Sequence, residues 1–392
     1  MPEHLAAPVE FLSSDTEPAK PGIGLCLSGG GYRAMLFHLG ALWRLAELGF
    51  LSARGVEPFG RLERISSVSG GSITSAVLGM KWTRLRVDEP GLIDRFVDEV
   101  VEPIRALASR TVIGLGSGLG AMILPGSINE YVAKQYREHL FGGATLQALP
   151  DHPRFVINAT NLQSGALWRF MKPYMADWKV GRVDRPTLAL ARAVAASSAF
   201  PPFLSPARLK LRESDYAAGS GAELQHPPFT TEPTLSDGGV YDNLGLETVW
   251  KRCQTVLVSN GGGQMQPQAK VHGDWARQSY RVLWVIDNQV RSLRTRQLVA
   301  SYLSNERKGA YWGISTDINE YRAAATLPCP HVQTIKLAQV ATDLEKKPAI
   351  IQERLINWGY GICDAALRSY VVGSASAPGG FPYPASASRL RP

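Results

Sequence analysis

The sequence predicts an α/β fold of three layers, in which helices cover both faces of a mostly parallel central sheet. Short apolar segments of strand length lead directly into glycine turns, and each turn leads into a segment with helical spacing. The clearest example passes from residues 23–28 through Gly29–Gly31 into a helix over 34–48, and residues 62–80 repeat the same order. Because parallel strands need crossover connections, such repeats are typical of a parallel sheet.

The remaining elements follow from two patterns. Short apolar or β-branched segments indicate strands, and longer segments with apolar residues three or four apart indicate helices. Further strands are expected at residues 154–160, 166–170, 234–239, 255–259 and 332–337. Further helices are expected over residues 90–140, 188–198, 275–304 and 350–370.

The composition indicates one globular domain with flanking segments. The 392 residues are 45% hydrophobic and 19% charged, which is enough to form a large core. We expect a flexible lead-in over residues 1–21, an α/β domain over 22–372, and a low-complexity tail over 373–392. The glycine-rich segment 114–120 interrupts the helical region, either as a plain linker or as a mobile cap.

The charge balance restricts the expected partners. Lys and Arg exceed Asp and Glu by 8, a balance compatible with nucleic acid, with anionic lipid or simply with solubility. No nucleic-acid-binding motif accompanies the charge, so no nucleic-acid partner is expected. Residues 1–21 lack the apolar centre of a signal peptide, and no segment is apolar enough to span a membrane. A cytoplasmic protein is therefore expected, with any membrane contact peripheral and the oligomeric state open.

The cysteine and histidine patterns argue against a metal or a disulfide framework. The four cysteines are scattered without C-x-x-C spacing, which is typical of free core thiols in a reducing compartment. Neither an H-E-x-x-H sequence nor a paired Cys/His cluster occurs. We therefore expect neither a metal nor another cofactor.

Ser69 is the candidate nucleophile. It stands in the sequence Ser67-Val-Ser69-Gly70-Gly71, between a predicted strand and a predicted helix. A serine at such a turn projects its hydroxyl into a reaction site, and small neighbours let the strand and helix approach closely. Ser67 replaces the first glycine of the usual G-x-S-x-G pattern. Taken alone, the segment is also compatible with an ordinary Ser/Gly turn.

Gly29, Gly30 and Gly31 form the second candidate feature. Glycines between a strand and a helix expose backbone N–H groups at the positive end of the helix dipole, where they can stabilise an oxyanion or hold a phosphate. A dinucleotide fingerprint would need glycine in place of Ala34, and the Lys of a P-loop is absent. Arg33 could brace this loop, meet an anionic headgroup, or be a surface charge.

Asp237 is the third candidate, in the sequence Asp237-Gly-Gly at the end of a predicted strand. A carboxylate followed by two glycines can approach another loop closely, although the same sequence is common in turns.

The order of these three motifs, each after a predicted buried strand, resembles the patatin-like phospholipase family. The similarity extends to Asn158–Gly165 and to Ala196–Pro202. It implies a patatin-like fold and a Ser–Asp dyad, with Ser69 as nucleophile and Asp237 as the catalytic aspartate. It also places Gly29–Gly31 in the oxyanion loop and Arg33 at the family's basic position. The N–H of Gly70, which follows the nucleophile, is the expected second oxyanion donor.

The histidines agree with a dyad. A histidine base in the order Ser…Asp…His would have to be His272 or His331, and neither lies in a motif. Asp237 would then accept the serine proton directly, which works best if burial raises its pKa.

The resemblance implies a serine esterase of lipid metabolism. The expected substrate is a phospholipid, lysophospholipid or acylglycerol, and the expected intermediate is an acyl-enzyme on Ser69. Two alternatives remain: a small-ester or thioester hydrolase without lipid preference, and a catalytically silent lipid-binding scaffold of the same fold.

Overall fold

A mixed ten-stranded sheet lies at the centre of the protein, in a computed structural model that describes residues 19–113 and 127–387. The strands are β1 Lys20–Leu27, β2 Leu62–Val68, β3 Arg154–Asn161, β4 Leu167–Phe170, β5 Tyr174–Asp177, β6 Gly181–Asp184, β7 Ala207–Arg208, β8 Thr234–Asp237, β9 Cys253–Asn260 and β10 Lys308–Gly313. The main strand order is β10-β9-β1-β2-β3-β4-β5-β6, and β8 joins β3 to β7.

The sheet is parallel from β10 to β3 and antiparallel beyond β3. β8 runs antiparallel to the end of β3, so that Asp237 lies opposite Ala159. Parallel strands bring their carboxyl ends to one edge of a sheet, and α/β proteins commonly bind ligands at that edge. Here β1 and β2 end there beside each other, and the antiparallel β8 ends next to them.

Twelve α-helices surround the sheet within the described residues. They are α1 Gly31–Glu47, α2 Gly70–Leu85, α3 Leu92–Phe96, α4 Glu102–Ala108, α5 Ser127–Tyr136, α6 Leu190–Ser197, α7 Gly239–Asp242, α8 Glu247–Trp250, α9 Trp275–Leu303, α10 His331–Ala338, α11 Ala349–Tyr370 and α12 Pro384–Ala387. Single π-helical turns at Val97–Val101 and Arg137–Phe141 adjoin α3 and α5.

The alternation of side chains along β1 separates two hydrophobic cores. Leu25 and Leu27 point into the larger core, which α1, α2 and α11 complete. Cys26 points to the opposite face, where Val249 of α8 and Leu298 of α9 cover it. Successive strand residues face opposite sides of a sheet, so both faces are buried and the fold has three layers. The predicted α/β class with a mostly parallel sheet is confirmed.

One predicted strand is wrong, since residues 332–337 belong to helix α10. Val332, Thr334 and Ile335 are β-branched and favour a strand locally. In the fold, Thr334, Leu337 and Ala338 are buried at helical spacing beside α11, and this packing outweighs the local preference. The patterns also did not predict β5, β6, β7 or β10, which are short or contain glycine.

The flanking segments are described only in part. Residues 1–18 of the predicted lead-in, the glycine segment 114–120 and residues 388–392 of the tail lie outside the described residues. Within the described part of the tail, Tyr383 exchanges two hydrogen bonds with Asn357 of α11.

The structure also describes the cysteines, the apolar helices and the groups of metal-ligating side chains. All four cysteines are buried and unpaired. Among residues 19–113 and 127–387, no helix is both long and apolar enough to cross a membrane. The same residues contain no cluster of three His, Cys, Asp or Glu side chains that could hold a metal ion.

The crossing of α1 and α11 gives a test of the fold. A Cβ on Gly40 would lie 1.9 Å from the carbonyl oxygen of Ile356, and a Cβ on Gly359 would lie 1.9 Å from that of Phe37. Because the two backbones are in contact, we expect Gly40→Ala to lower the free energy of unfolding by about 2–4 kcal/mol, measured by urea denaturation. Gly143→Ala is the control, since a Cβ there would meet no atom within 4 Å. Equal stability of the two variants would contradict this packing.

Candidate active site

Ser69 lies at the turn between β2 and α2 in a strained backbone conformation. Its φ is 51° and its ψ is −120°, a region that residues other than glycine rarely adopt. Neighbouring hydrogen bonds hold it there: its N–H donates to Oγ of Ser197 at 3.0 Å, and its carbonyl accepts from the N–H of Ser72 at 2.8 Å. This geometry is typical of a nucleophile elbow.

The two glycines after Ser69 allow a close backbone contact. A Cβ on Gly70 would lie 2.1 Å from the carbonyl oxygen of Gly31, and a Cβ on Gly71 would lie 2.5 Å from that of Leu27. The start of α2 therefore packs directly against the end of β1 and the loop that follows it. Any side chain at either position would separate the loop from the elbow.

The loop Gly29–Gly31 lies beside Ser69. Gly30 has a φ of 143° and Gly31 a φ of 58°, so both positions favour glycine. A Cβ on Gly29 would lie 3.2 Å from Cβ of Ser69. The N–H of Gly29 donates to the carbonyl of Asn243 at 3.1 Å, whereas those of Gly30 and Gly31 donate to none of the described residues. Gly29 is thus a positioning residue, and the available donors are Gly30 and Gly31.

Asp237 ends β8, and its backbone is anchored on both sides. Its N–H donates to the carbonyl of Ala199 at 2.9 Å, and its carbonyl accepts from Oγ1 of Thr160 at 2.8 Å. Its Oδ1 accepts the N–H of Gly239 at 2.7 Å. Its Oδ2 is buried and accepts no hydrogen bond from any described residue.

Burial controls the protonation of the Asp237 carboxyl, because this residue is only 2% exposed. Desolvation raises the pKa of this carboxyl to about 7, while the N–H of Gly239 and the hydroxyl of Ser69 act in the opposite direction. The two side chains therefore interact, although no hydrogen bond joins them in this conformation. A carboxyl with a pKa near neutrality can take up and release a proton at physiological pH.

Ser69, Asp237 and the glycine loop line one cavity of about 620 Å³. The rest of its wall is largely apolar and includes Ile113, Ile128, Phe200, Phe203, Leu204, Tyr280 and Trp284. A cavity of this size, in which Ser69 and Asp237 share a largely apolar surface, suits an apolar ligand that carries a reactive polar group.

A family model described as patatin-like phospholipase matches residues 25–250, which is more than half of the chain. The chain belongs to the patatin-like phospholipase family. Membership places it, at the level of the family, among lipid acyl hydrolases.

Solved structures similar to this patatin-like chain include two of human GIVD cytosolic phospholipase A2. The first is 12% identical to this chain and has a TM-score of 0.42, and the match covers 87% of this chain and 60% of the human chain. The second, a complex with methyl gamma-linolenyl fluorophosphonate, is 12% identical and has a TM-score of 0.47, and the match covers 88% of this chain and 57% of the human chain. VipD from Legionella pneumophila has 16% identity and a TM-score of 0.30, and covers 83% and 66%. The chain thus spans three fifths or less of the human structures. No curated protein matches it in sequence.

Ser67 accounts for the one departure of this patatin-like sequence from the usual elbow pattern. Its hydroxyl is buried, donates to the carbonyl of Val156 at 3.2 Å and accepts from Oγ of Ser72 at 3.1 Å. Ser72 in turn shares a 2.9 Å hydrogen bond with Oγ of Ser197. The replacement of glycine by serine is therefore accommodated by a hydroxyl chain that connects the elbow to the end of α6.

The two further segments of family resemblance also lie at the site. Asn158 of β3 donates through Nδ2 to Oγ of Ser66 and to the carbonyl of Ser67, both at 2.9 Å. Ser197 belongs to the second segment and holds the backbone of Ser69. Both segments act on the position of the elbow. Asn243, which binds the loop at Gly29, was not singled out from the sequence.

Arg33 follows the glycine loop by two residues, and its side chain is buried inside the protein. It is 3% exposed, and its Nε and Nη1 donate to the carbonyls of Gly261 at 3.2 Å and Val340 at 2.5 Å. Burial and the nearby Arg291 together lower the pKa of Arg33 to about 10, and Asp343 acts in the opposite direction. Arg291 of α9 also lines the cavity.

No histidine among the described residues lines the cavity. His272 is exposed in a loop, and His331 begins α10. His38 is buried below the loop, where its ring lies 2.9 Å from the carbonyl of Ser28 and 2.8 Å from Oγ of Ser259. Burial lowers the pKa of His38 to about 4, so its ring is neutral and structural.

The raised pKa of Asp237 predicts a pH-dependent cost to stability. Since the folded carboxyl binds its proton more tightly than the unfolded one, this residue destabilises the fold increasingly as pH rises from about 4 to 7. We expect Asp237→Asn to unfold at a higher temperature than wild type at pH 8. Its free energy of unfolding should exceed that of wild type by at most about 4 kcal/mol. The gain should disappear near pH 4. Calorimetry across this range tests it, and a gain that grows toward low pH would contradict it.

Proposed function

We propose that the protein is a serine acyl hydrolase that cleaves carboxylic esters of lipids, with Ser69 as nucleophile and Asp237 as base. One observation carries this proposal: a serine in an elbow conformation and a buried carboxylate with an unpartnered Oδ2 share one apolar cavity. In this proposal the proton passes directly between Ser69 and Asp237, without a histidine.

In the first half of the reaction, Oδ2 of Asp237 accepts the hydroxyl proton of Ser69 while Oγ attacks the carbonyl carbon of the ester. The N–H groups of Gly30, Gly31 and Gly70 face the oxyanion that forms. Gly70 is the first residue of α2, so its N–H has no acceptor within the helix. Each such donor contributes about 3 kcal/mol to transition-state stabilisation.

The tetrahedral intermediate then collapses, and the alcohol leaves with the proton held by Asp237. Ser69 is left esterified with the acyl chain. In the second half, Asp237 accepts a proton from water as the water oxygen attacks the acyl carbonyl. Collapse releases the fatty acid and returns the proton to Oγ of Ser69. The bonds broken and formed sum to hydrolysis of one ester, without metal or other cofactor.

The surface around the cavity supports the proposal that the enzyme works at a membrane. On α9, Trp275, Val282, Ile286 and Leu293 are spaced seven, four and seven residues apart, so they lie on one face of the helix. All four are exposed, Trp275 by 81%. Tyr280 and Trp284 of the same helix line the cavity. Arg281, whose Nη2 donates only to a backbone carbonyl among the described residues, adds positive charge, which favours anionic lipid.

The dyad is tested with Ser69→Ala and Asp237→Asn. We expect each to lower kcat/KM on a p-nitrophenyl acyl ester by at least about a thousandfold, because each removes a reacting group. Matched controls are Ser292→Ala on α9 and Asp184→Asn on β6, both exposed. A fluorophosphonate should label wild type at Ser69 and not label Ser69→Ala.

The outcomes separate the alternatives. Full activity of either variant would exclude the dyad. Wild-type turnover of short esters and thioesters without any preference for long acyl chains would favour the small-ester hydrolase. No turnover and no labelling would favour the silent lipid-binding scaffold.

The pKa of Asp237 predicts the pH dependence of the rate. The carboxylate must be ionised to accept the proton of Ser69, and its pKa is about 7. We therefore expect kcat/KM to rise with pH by about tenfold per unit below 7 and to level off above about 8. Stopped-flow measurement of ester hydrolysis from pH 5 to 9 tests this. A rate that is constant over this range would contradict a base with this pKa.

The membrane surface is tested with the double variant Trp275→Ser/Ile286→Ser. We expect it to reduce sedimentation with anionic phosphatidylglycerol vesicles at least fivefold, since two large apolar contacts are lost. The control is Leu303→Ser, at the opposite end of α9, where the side chain is 80% exposed. An equal loss of sedimentation in the double variant and in Leu303→Ser would mean that this face of α9 does not dock on the membrane.

A further inference from the structure

His38 is a buried histidine that the proposed proton transfer does not use. It lies on α1 and is 0% exposed, and its ring meets that of Phe37 edge to face with the ring centroids 5.8 Å apart. Its Nε2 lies 2.9 Å from the carbonyl oxygen of Ser28, and its Nδ1 lies 2.8 Å from Oγ of Ser259. Ser28 directly follows β1, and Ser259 lies near the end of β9, which pairs with β1. One side chain therefore joins the ends of two adjacent strands below the glycine loop.

The surroundings of His38 determine which ring nitrogen carries the proton. Burial lowers the pKa of His38 to about 4, although the bond to Ser28 acts in the opposite direction, so the ring is neutral and has one N–H group. The carbonyl of Ser28 can only accept a hydrogen bond, so Nε2 is the donor. Nδ1 then accepts from the hydroxyl of Ser259. A flip of the ring would break both hydrogen bonds, which fixes its orientation as well as its tautomer.

Ser28 connects His38 to the first oxyanion donor of the glycine loop. The hydroxyl of Ser28 accepts from the N–H of Gly261 at 2.8 Å and donates to the carbonyl of Gly29 at 3.2 Å. In a trans peptide the C=O and N–H groups point in opposite directions. The bond to the carbonyl of Gly29 therefore turns the N–H of Gly30 away from Ser28. This N–H is one of the donors to the oxyanion in the proposed reaction.

The peptide group between Ser28 and Gly29 is held at both ends. Its carbonyl accepts from His38, and its N–H donates to the carbonyl of Asn243 at 3.1 Å. A planar peptide group with both polar ends bound cannot rotate without breaking a hydrogen bond. Without His38, the carbonyl end of this peptide would lose its hold, and the loop that starts there could move relative to Ser69.

We infer that His38 is a positioning residue for the glycine loop, which it holds through Ser28 in the orientation that oxyanion stabilisation requires. This inference rests on the proposed hydrolase function and deepens it. His38 does not line the cavity, so it acts on the substrate only through the loop. A polar ring is costly at a core position unless it is hydrogen-bonded, and both neighbours of His38 on α1, Phe37 and Leu39, belong to the hydrophobic core. Loss of His38 should therefore weaken transition-state stabilisation more than ground-state binding.

The test compares two polar replacements of different reach. The amide of His38→Gln can still donate to the carbonyl of Ser28, whereas the shorter amide of His38→Asn reaches the position of Nδ1 and not that of Nε2. We expect His38→Asn to lower kcat on a p-nitrophenyl acyl ester about 10- to 100-fold, with KM changed by less than about twofold. His38→Gln should stay within about fivefold of the wild-type kcat. Equal kcat values for the two variants would overturn the inference.

Leu42→Ala is the control for lost core packing. Leu42 lies in the hydrophobic core about one turn further along α1 and is 0% exposed. Its truncation lowers stability without touching the loop, so kcat should equal that of wild type at temperatures where the variant is folded. A loss of kcat in Leu42→Ala as large as that in His38→Asn would mean that the activity follows stability, and would overturn the inference.

A tetrahedral inhibitor reports on the loop more directly. A trifluoromethyl ketone adds to Oγ of Ser69, and the oxyanion of the adduct needs the same N–H donors as the transition state. The ether analogue of the ester binds through its apolar chain and forms no oxyanion. We expect His38→Asn to weaken inhibition by the ketone by about the same factor as kcat/KM, and inhibition by the ether by less than about twofold. Equal weakening of both inhibitors would mean that His38 only stabilises the fold, and would overturn the inference.

The tautomer can be measured in wild type, whatever the stability of the variants. Nitrogen NMR of protein labelled in its histidine side chains should show a neutral His38 ring with the proton on Nε2 near neutral pH. A proton on Nδ1 would leave the carbonyl of Ser28 without this donor and would overturn the inference.

These measurements also separate the inference from the proposed function. A wild type that neither hydrolyses esters nor reacts with a fluorophosphonate would contradict the hydrolase, and with it any role of His38 in catalysis. An active wild type with an equally active His38→Asn would contradict the positioning role alone.

Discussion

The site depends on one backbone contact, between the loop after β1 and the first turn of α2. At Gly70 and Gly31 the two backbones are so close that even a methyl group would overlap a carbonyl oxygen. This contact holds the loop beside Ser69, whose φ is positive. A strained residue persists only where its surroundings determine its position. Here those surroundings are the adjacent ends of two parallel strands, together with the hydrogen bond that Ser69 donates to Ser197 and the one that it accepts from Ser72.

Asp237 shows how the fold sets the chemistry of a single group. The residue is held through its backbone and Oδ1, so Oδ2 is kept dry without a partner. Desolvation is the largest influence on its pKa and outweighs the hydrogen bonds that favour the charge. The same burial that would make the carboxylate a better base makes it a burden on stability above neutral pH. A site of this kind is expected to be less stable than the same fold with a neutral side chain.

The sequence predicts the features that depend on residues close together along the chain. It predicts less well the features that depend on packing between distant segments. Gly29–Gly31, Ser69 and Asp237 could be singled out because strand, turn and helix follow one another along the chain. The β-branched residues of α10 predict a strand wrongly, because its contact with α11 outweighs local preference. Asn243 carries no local signal for its contact with Gly29, and Ser197, although it lies in a segment of family resemblance, carries none for its contact with Ser69. Each meets the loop or elbow only after the chain has folded, so no spacing in the sequence could reveal that contact.

Helix α9 joins the two parts of the proposed function. Its inner side brings Trp284 and Arg291 to the cavity, while Trp275 and Ile286 stand exposed on another face. Burial of the exposed face in a lipid surface would hold the enzyme against its proposed substrate, while the inner side of the same helix forms part of the cavity wall. Docking and substrate positioning would therefore both depend on the placement of this one helix.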